Sequence, residues 1–148
     1  MLDRLEACPT AIRCQLLRCY TVRAVAVPLL VALGGAIGSV ARYLLTGAVH
    51  RFASPYFPYG TFVVNVSGCL LFGIIFALGE ERFVIGPPLR AFLLIGVLGG
   101  FTTFSSFTFE SFQLLRDGEL LLASANAVGQ LVVGLFAFWV GVTVVRAI

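Results

Sequence analysis

A few polar residues sit inside long apolar runs, where each must face protein or water because hydrocarbon offers no hydrogen-bond partner. Asn65, in GTFVVNVSGCLLFG, lies five residues after Gly60 and well before the next turn. Its amide has donors and an acceptor, so it either ties two helices together or hydrogen-bonds an anion in a pore. Downstream, GVLGGFTTFSSFTFE runs from Gly96 to Glu110. Adjacent Gly99 and Gly100 weaken a helix, and the hydroxyls of Thr102, Thr103, Ser105, Ser106 and Thr108 compete for its backbone hydrogen bonds. A break in the helix is expected there, with freed carbonyls able to coordinate a cation. Phe104 and Phe107, three apart, share one face of the resumed helix. They either pack, or turn electropositive ring edges toward an anion that is losing water. Asn126 and Gln130, spaced i and i+4, form one polar stripe with Ser124 nearby, as helix glue or as a pore lining. In GGAIGSVARY, Gly34 and Gly38 allow close helix approach, while Arg42 either reaches for the headgroups or draws anions to an aqueous mouth.

The elements that must hold these residues are membrane spans. With 59% hydrophobic residues, 11% charged residues and a mean hydropathy of +1.02, a soluble domain is excluded. Four stretches reach the roughly 20 apolar residues that a spanning helix needs, at about 25–48, 60–79, 88–114 and 119–145. Turn formers and charges divide them: His50 to Pro58, Glu80 to Pro88, and Arg116 to Glu119. Such short connections predict antiparallel neighbours and both termini on one side. Residues 1–24 are expected to form a separate leader, interfacial or disordered, and residues 25–148 a four-helix membrane domain. The leader's apolar sequel is too long for a secretory signal. Every cation is an arginine, and the net charge of +3 is too scattered for a nucleic-acid face. Past the leader, Arg82, Arg90 and Arg146 flank one side, and Arg42, Arg51 and Arg116 the other. That balance predicts no preferred orientation, while the leader's four arginines would bias the N-terminus toward the cytoplasm. Cys8, Cys14, Cys19 and Cys69 match no zinc spacing, and His50 has no ligand partners near it in sequence.

Together, GGAIGSVARY, GTFVVNVSG and GGFTTFSSF, in this order and spacing, resemble the Fluc (CrcB-type) fluoride ion channel family over about residues 25–145. The resemblance implies an all-α membrane protein of four transmembrane helices per subunit, the third broken mid-membrane. It also implies an antiparallel, dual-topology homodimer in the inner (plasma) membrane with two pores at the interface. The family's pore asparagine and paired phenylalanines correspond to Asn65, Phe104 and Phe107. A central structural sodium ion (Na+) would be held by backbone carbonyls of Gly99 and Thr102 from both subunits. Fluoride is small and strongly hydrated, so its path must replace water with donors such as Asn65, Ser105, Ser106 and Thr108. The fourth-helix polar track falls on Asn126 and Gln130; at Gly134, one turn on, the chain departs from it. An inverted twin also supplies the cover that four short helices cannot give to so many polar groups. The expected activity is passive export of cytoplasmic fluoride, which reduces its toxicity.

Two other readings compete. A small multidrug-resistance-like transporter shares four helices and dual topology, but proton-coupled export wants an embedded carboxylate, and only Glu110 is available. A non-conducting membrane assembly subunit would use every polar residue as glue. An enzyme is not expected, since no nucleophile and base pair or metal cluster appears.

Overall fold

Spans form where apolar sequence is long enough, and proline, glycine and charge end them. In the computed structural model, which describes residues 10–54, 56–80, 82 and 84–148 with side chains from Ala26 onward, four helices are long and apolar enough to cross a membrane. Helix α1 covers Thr10–His50, its apolar span being Ala26–His50, with Pro28 near the start of that span. It therefore continues through residues 10–24 of the expected leader; residues 1–9, Cys8 among them, and the side chains of Cys14 and Cys19 lie outside the described residues. Helix α2 is Tyr59–Glu80. The third span, Pro87–Arg116, is composite. Helix α3 (Pro87–Arg90) leads into a π-helical stretch, Ala91–Leu98, then α4 (Gly99–Phe101) and α5 (Phe104–Arg116). Helix α6 is Leu120–Ala147.

Each turn has a local cause. Prolines open α3, where a missing N–H costs nothing. Helix α5 ends in a Schellman motif: Gly118, at φ 82°, donates to the Leu115 carbonyl at 3.1 Å, and Glu119 donates to Leu114 at 2.9 Å. At the opposite end of the bundle, Arg82 donates to the last carbonyls of α6, Val145 at 3.0 Å and Arg146 at 3.3 Å. A cation there complements the helix dipole. Arg90 is ion-paired with Glu80 beside it.

Close backbone approach holds the bundle together. A Cβ on Gly34 would lie 2.7 Å from the Phe92 carbonyl oxygen, and one on Gly38 would lie 2.8 Å from the Phe101 nitrogen. Helix α1 therefore seats directly on the backbone of the first half of the third span, as small-residue packing in membranes requires. Gly73 and Gly141 do the same between α2 and α6. The third span changes partner along its length: up to Phe101 it packs on α1, and α5 packs on α6. The buried core is small, with Val64, Leu98 and Phe101 in one cluster and Ala77, Val142 and Val145 in another. Large apolar side chains such as Leu33, Ile37, Leu135 and Phe136 face outward, as a lipid-facing surface allows.

Candidate functional site

Two residues interrupt the third span. Thr102 (φ −77°, ψ 155°) and Thr103 (φ −147°, ψ 115°) are extended between α4 and α5. Thr102 keeps its N–H on the Leu98 carbonyl at 3.0 Å, and its hydroxyl donates to the same oxygen at 2.9 Å. The Thr103 backbone finds partners across the bundle on α2. Its N–H donates to Asn65 Oδ1 at 2.8 Å, and its carbonyl accepts from Asn65 Nδ2 at 3.1 Å. One amide side chain thus replaces the two backbone bonds that the interruption removes, which is what a buried unpaired N–H and C=O demand. Thr103 Oγ1 then caps α5, accepting from the Ser106 N–H at 3.3 Å and donating to Ser106 Oγ at 3.1 Å; Ser105 Oγ is 3.2 Å away.

The interruption is not where the glycine pair lies. Gly99 and Gly100 stay helical, because Gly100 is pressed against α1: a Cβ there would come within 2.5 Å of the Gly35 carbonyl oxygen. Gly100 permits packing, and the chain opens two residues later, where Asn65 can satisfy Thr103.

From Asn65 a line of hydrogen bonds runs to α6 and back to α5. Asn65 Nδ2 donates to Gln130 Oε1 at 2.7 Å, and Gln130 Nε2 donates to Asn126 Oδ1 at 2.8 Å. Asn126 Nδ2 donates to Ser111 Oγ at 2.9 Å, and Ser111 Oγ donates to the Phe107 carbonyl at 2.8 Å. Both amide hydrogens of Asn65 are therefore engaged within the protein, so of the two roles open to it from sequence this geometry displays the tie between helices.

Beside this line lies a cavity of about 510 Å³, lined by Asn65, Thr102, Thr103, Phe104, Phe107 and Gln130 among others. The rings of Phe104 and Phe107 sit 5.5 Å apart, tilted by 45°. Phe104 is 78% exposed on the single chain, at the positive end of the α5 dipole. The remaining wall is apolar, including Phe72, Leu131 and Phe138. The cavity thus brings together two aromatic rings, the N-terminal end of α5 and the side-chain amide of Gln130.

Other expected site residues lie elsewhere. Ser105 and Ser106 gather on the cap of α5, outside the cavity lining, and Thr108 turns its hydroxyl to the Phe104 carbonyl at 3.0 Å. Asn126 is fully buried behind the cavity wall. Gly99 faces outward, with only the Leu94 oxygen, at 3.8 Å, near an added Cβ. Arg42 is half-buried on α1, away from the cavity lining and without an ion-pair partner among the described residues. Two residues were missed from sequence, Ser111 and Thr61, the latter donating its hydroxyl to Glu110 Oε1 at 2.6 Å. Ser111 follows Phe107 by four residues, a spacing that permits back-bonding; nothing in sequence pairs Thr61 with Glu110 across 49 positions. Glu110 also lines a second cavity of about 860 Å³ with His50, Asp117 and Glu119 at the loop end of the bundle.

Residues 29–142 match the family model described as CrcB-like protein, Camphor Resistance (CrcB). Named relatives are similar over most of their length. A fluoride-specific ion channel FluC of Nitratidesulfovibrio vulgaris is 51% identical over 112 residues, 76% of this chain and 90% of that protein. A protein of the same name from Nitrosococcus oceani is 48% identical over 118 residues, 80% of this chain and 94% of that one. Another, from Flavobacterium psychrophilum, is 41% identical over 116 residues, 78% of this chain and 94% of that one.

Proposed function

This chain belongs to the CrcB-like family, and from that premise we propose that it is a fluoride-selective passive ion channel that lets cytoplasmic fluoride leave the cell and so lowers its toxicity. One observation carries the reading beyond the relatives' names: the cavity beside the interrupted third span collects Phe104, Phe107 and Gln130 at the N-terminal end of α5. A small anion must exchange its water for donors, and these groups supply them without a competing carboxylate in the lining. Asn65 holds the site open by clamping Thr103. The hydroxyls of Ser105, Ser106 and Thr108 and the amide of Asn126 support the cavity from outside its lining, and Arg42 raises the local anion concentration at a mouth.

The working unit in this proposal is an antiparallel homodimer in the inner membrane, with the interruption near mid-bilayer. Its support is the unfilled face: Gly99 is open to close approach, and Phe104 stands largely uncovered. The same face suits a structural sodium ion. Extended Thr102 no longer aligns its carbonyl with the helix axis, and Gly99 sits uncovered three residues before it. Backbone carbonyls of Gly99 and Thr102 from two subunits would hold the ion, a hard cation taking hard oxygen donors; it would fix the interface and would not be transported.

The test is efflux from liposomes loaded with fluoride or chloride, read by ion-selective electrodes. Rapid fluoride loss with little chloride loss is expected. Equal rates for the two ions, or no flux of either, would remove the assignment.

A further inference from the structure

We infer that Ser111 is a positioning residue for anion passage: it terminates a one-way hydrogen-bond line that makes Gln130, and not Asn65, present the free amide N–H to the cavity. This rests on the fluoride-channel reading.

The direction of the line is set at both ends by groups that cannot reverse. The backbone N–H of Thr103 is only a donor, so Asn65 must turn Oδ1 toward it, at 2.8 Å. The Phe107 carbonyl is only an acceptor, so the Ser111 hydroxyl must give it its hydrogen, at 2.8 Å. With that hydrogen committed, Ser111 Oγ can only accept from the side of α6, and Asn126 must face it with Nδ2, at 2.9 Å. Asn126 Oδ1 is then left for Gln130, whose Nε2 reaches it at 2.8 Å, and Gln130 Oε1 is left for Asn65 Nδ2 at 2.7 Å. Every amide orientation follows from its neighbour, and the two ends agree.

The consequence for the cavity is a matter of counting hydrogens. Asn65 Nδ2 has two, engaged by the Thr103 carbonyl and by Gln130. Gln130 Nε2 has two, and Asn126 takes one. The second belongs to a residue that lines the cavity beside Phe104 and Phe107. An amide whose other three hydrogen-bonding positions are partly fixed is pre-organised, and an aligned line polarises each member in the same sense. Ser111 itself is outside the cavity lining, so its influence must pass through Asn126, which is fully buried.

Fluoride efflux from liposomes, measured as a function of fluoride concentration, tests this on wild type, Ser111→Ala, Ser111→Thr and Gln130→Met. Without the Ser111 hydroxyl the line keeps only its Thr103 end and Asn126 no longer holds Gln130 firmly, which predicts about a tenfold slower fluoride efflux in Ser111→Ala, with a raised half-saturating concentration. Ser111→Thr, which keeps a hydroxyl able to bond four residues back, restores the wild-type curve. Gln130→Met shows a larger loss than Ser111→Ala. Size-exclusion profiles and circular dichroism identify a variant that merely fails to fold, and if that is Ser111→Ala, Gln130→Met carries the comparison against wild type. If wild type conducts fluoride but Ser111→Ala and Gln130→Met follow its curve, the inference is wrong and the channel assignment stands. If Ser111→Thr is as slow as a folded Ser111→Ala, the hydroxyl line is not the cause, and the inference is again overturned. A folded wild type that passes no fluoride overturns both.

Discussion

Asn65 is the residue on which the third span depends most, because it answers both backbone groups of Thr103. Replacing it with leucine leaves a buried N–H and a buried C=O without partners, at about 1–3 kcal/mol each. Asn65→Leu is therefore expected to melt well below wild type in detergent, as followed by circular dichroism. Asn65→Asp keeps the acceptor for the Thr103 N–H but loses the donor to its carbonyl and to Gln130, so its melting point should fall between the two. Were Asn65→Leu as stable as wild type, the clamp would have no energetic content. Phe104 and Phe107 differ in kind. Their rings touch each other and the cavity, with Phe104 mostly uncovered, so Phe104→Ile should change anion passage while leaving the melting point of the subunit nearly unchanged.

At the scale of helices, the seam between α1 and the third span is built from glycine against backbone. A methyl group on Gly38 would collide with the Val97 carbonyl and crowd the Phe101 nitrogen, neither of which can rotate away. Gly38→Ala should cost about 1–3 kcal/mol through forced separation of the helices, read as a lowered thermal midpoint; Gly47→Ala, where nothing lies within 4 Å, serves as the control. Equal midpoints for the two would contradict the packing described. Four spans were legible in sequence because membrane length alone demands about 20 apolar residues, and Gly34 with Gly38 correctly marked a close contact. The position of the interruption was not. Gly99 and Gly100 carry the weaker local helix propensity, yet tertiary contact with Gly35 keeps that turn helical, while the polar partner on α2 decides where the chain opens. The line through Ser111 was equally out of reach, since it depends on α5 and α6 lying side by side after the third span changes partner.

For the whole molecule, the outward face at Gly99 distinguishes a lone subunit from an assembled one. Within the subunit a side chain there meets almost nothing, so Gly99→Leu should leave helix content unchanged. In an antiparallel dimer that meets at this face, the same leucine would separate the two copies, and cross-linking in membranes should show loss of the dimer band. A Gly99→Leu protein that still cross-links as wild type would place the partner elsewhere. The central claim is that fluoride passes the cavity beside Thr102 and Thr103, under the two phenylalanine rings. Its most direct measurement is fluoride against chloride efflux from liposomes for wild type, Phe104→Ile and Phe107→Ile at matched protein content. Fast, fluoride-specific release by wild type and at least a tenfold slowing in each variant is the predicted result, one donor-sized loss per ring; variants that release fluoride as fast as wild type would contradict it.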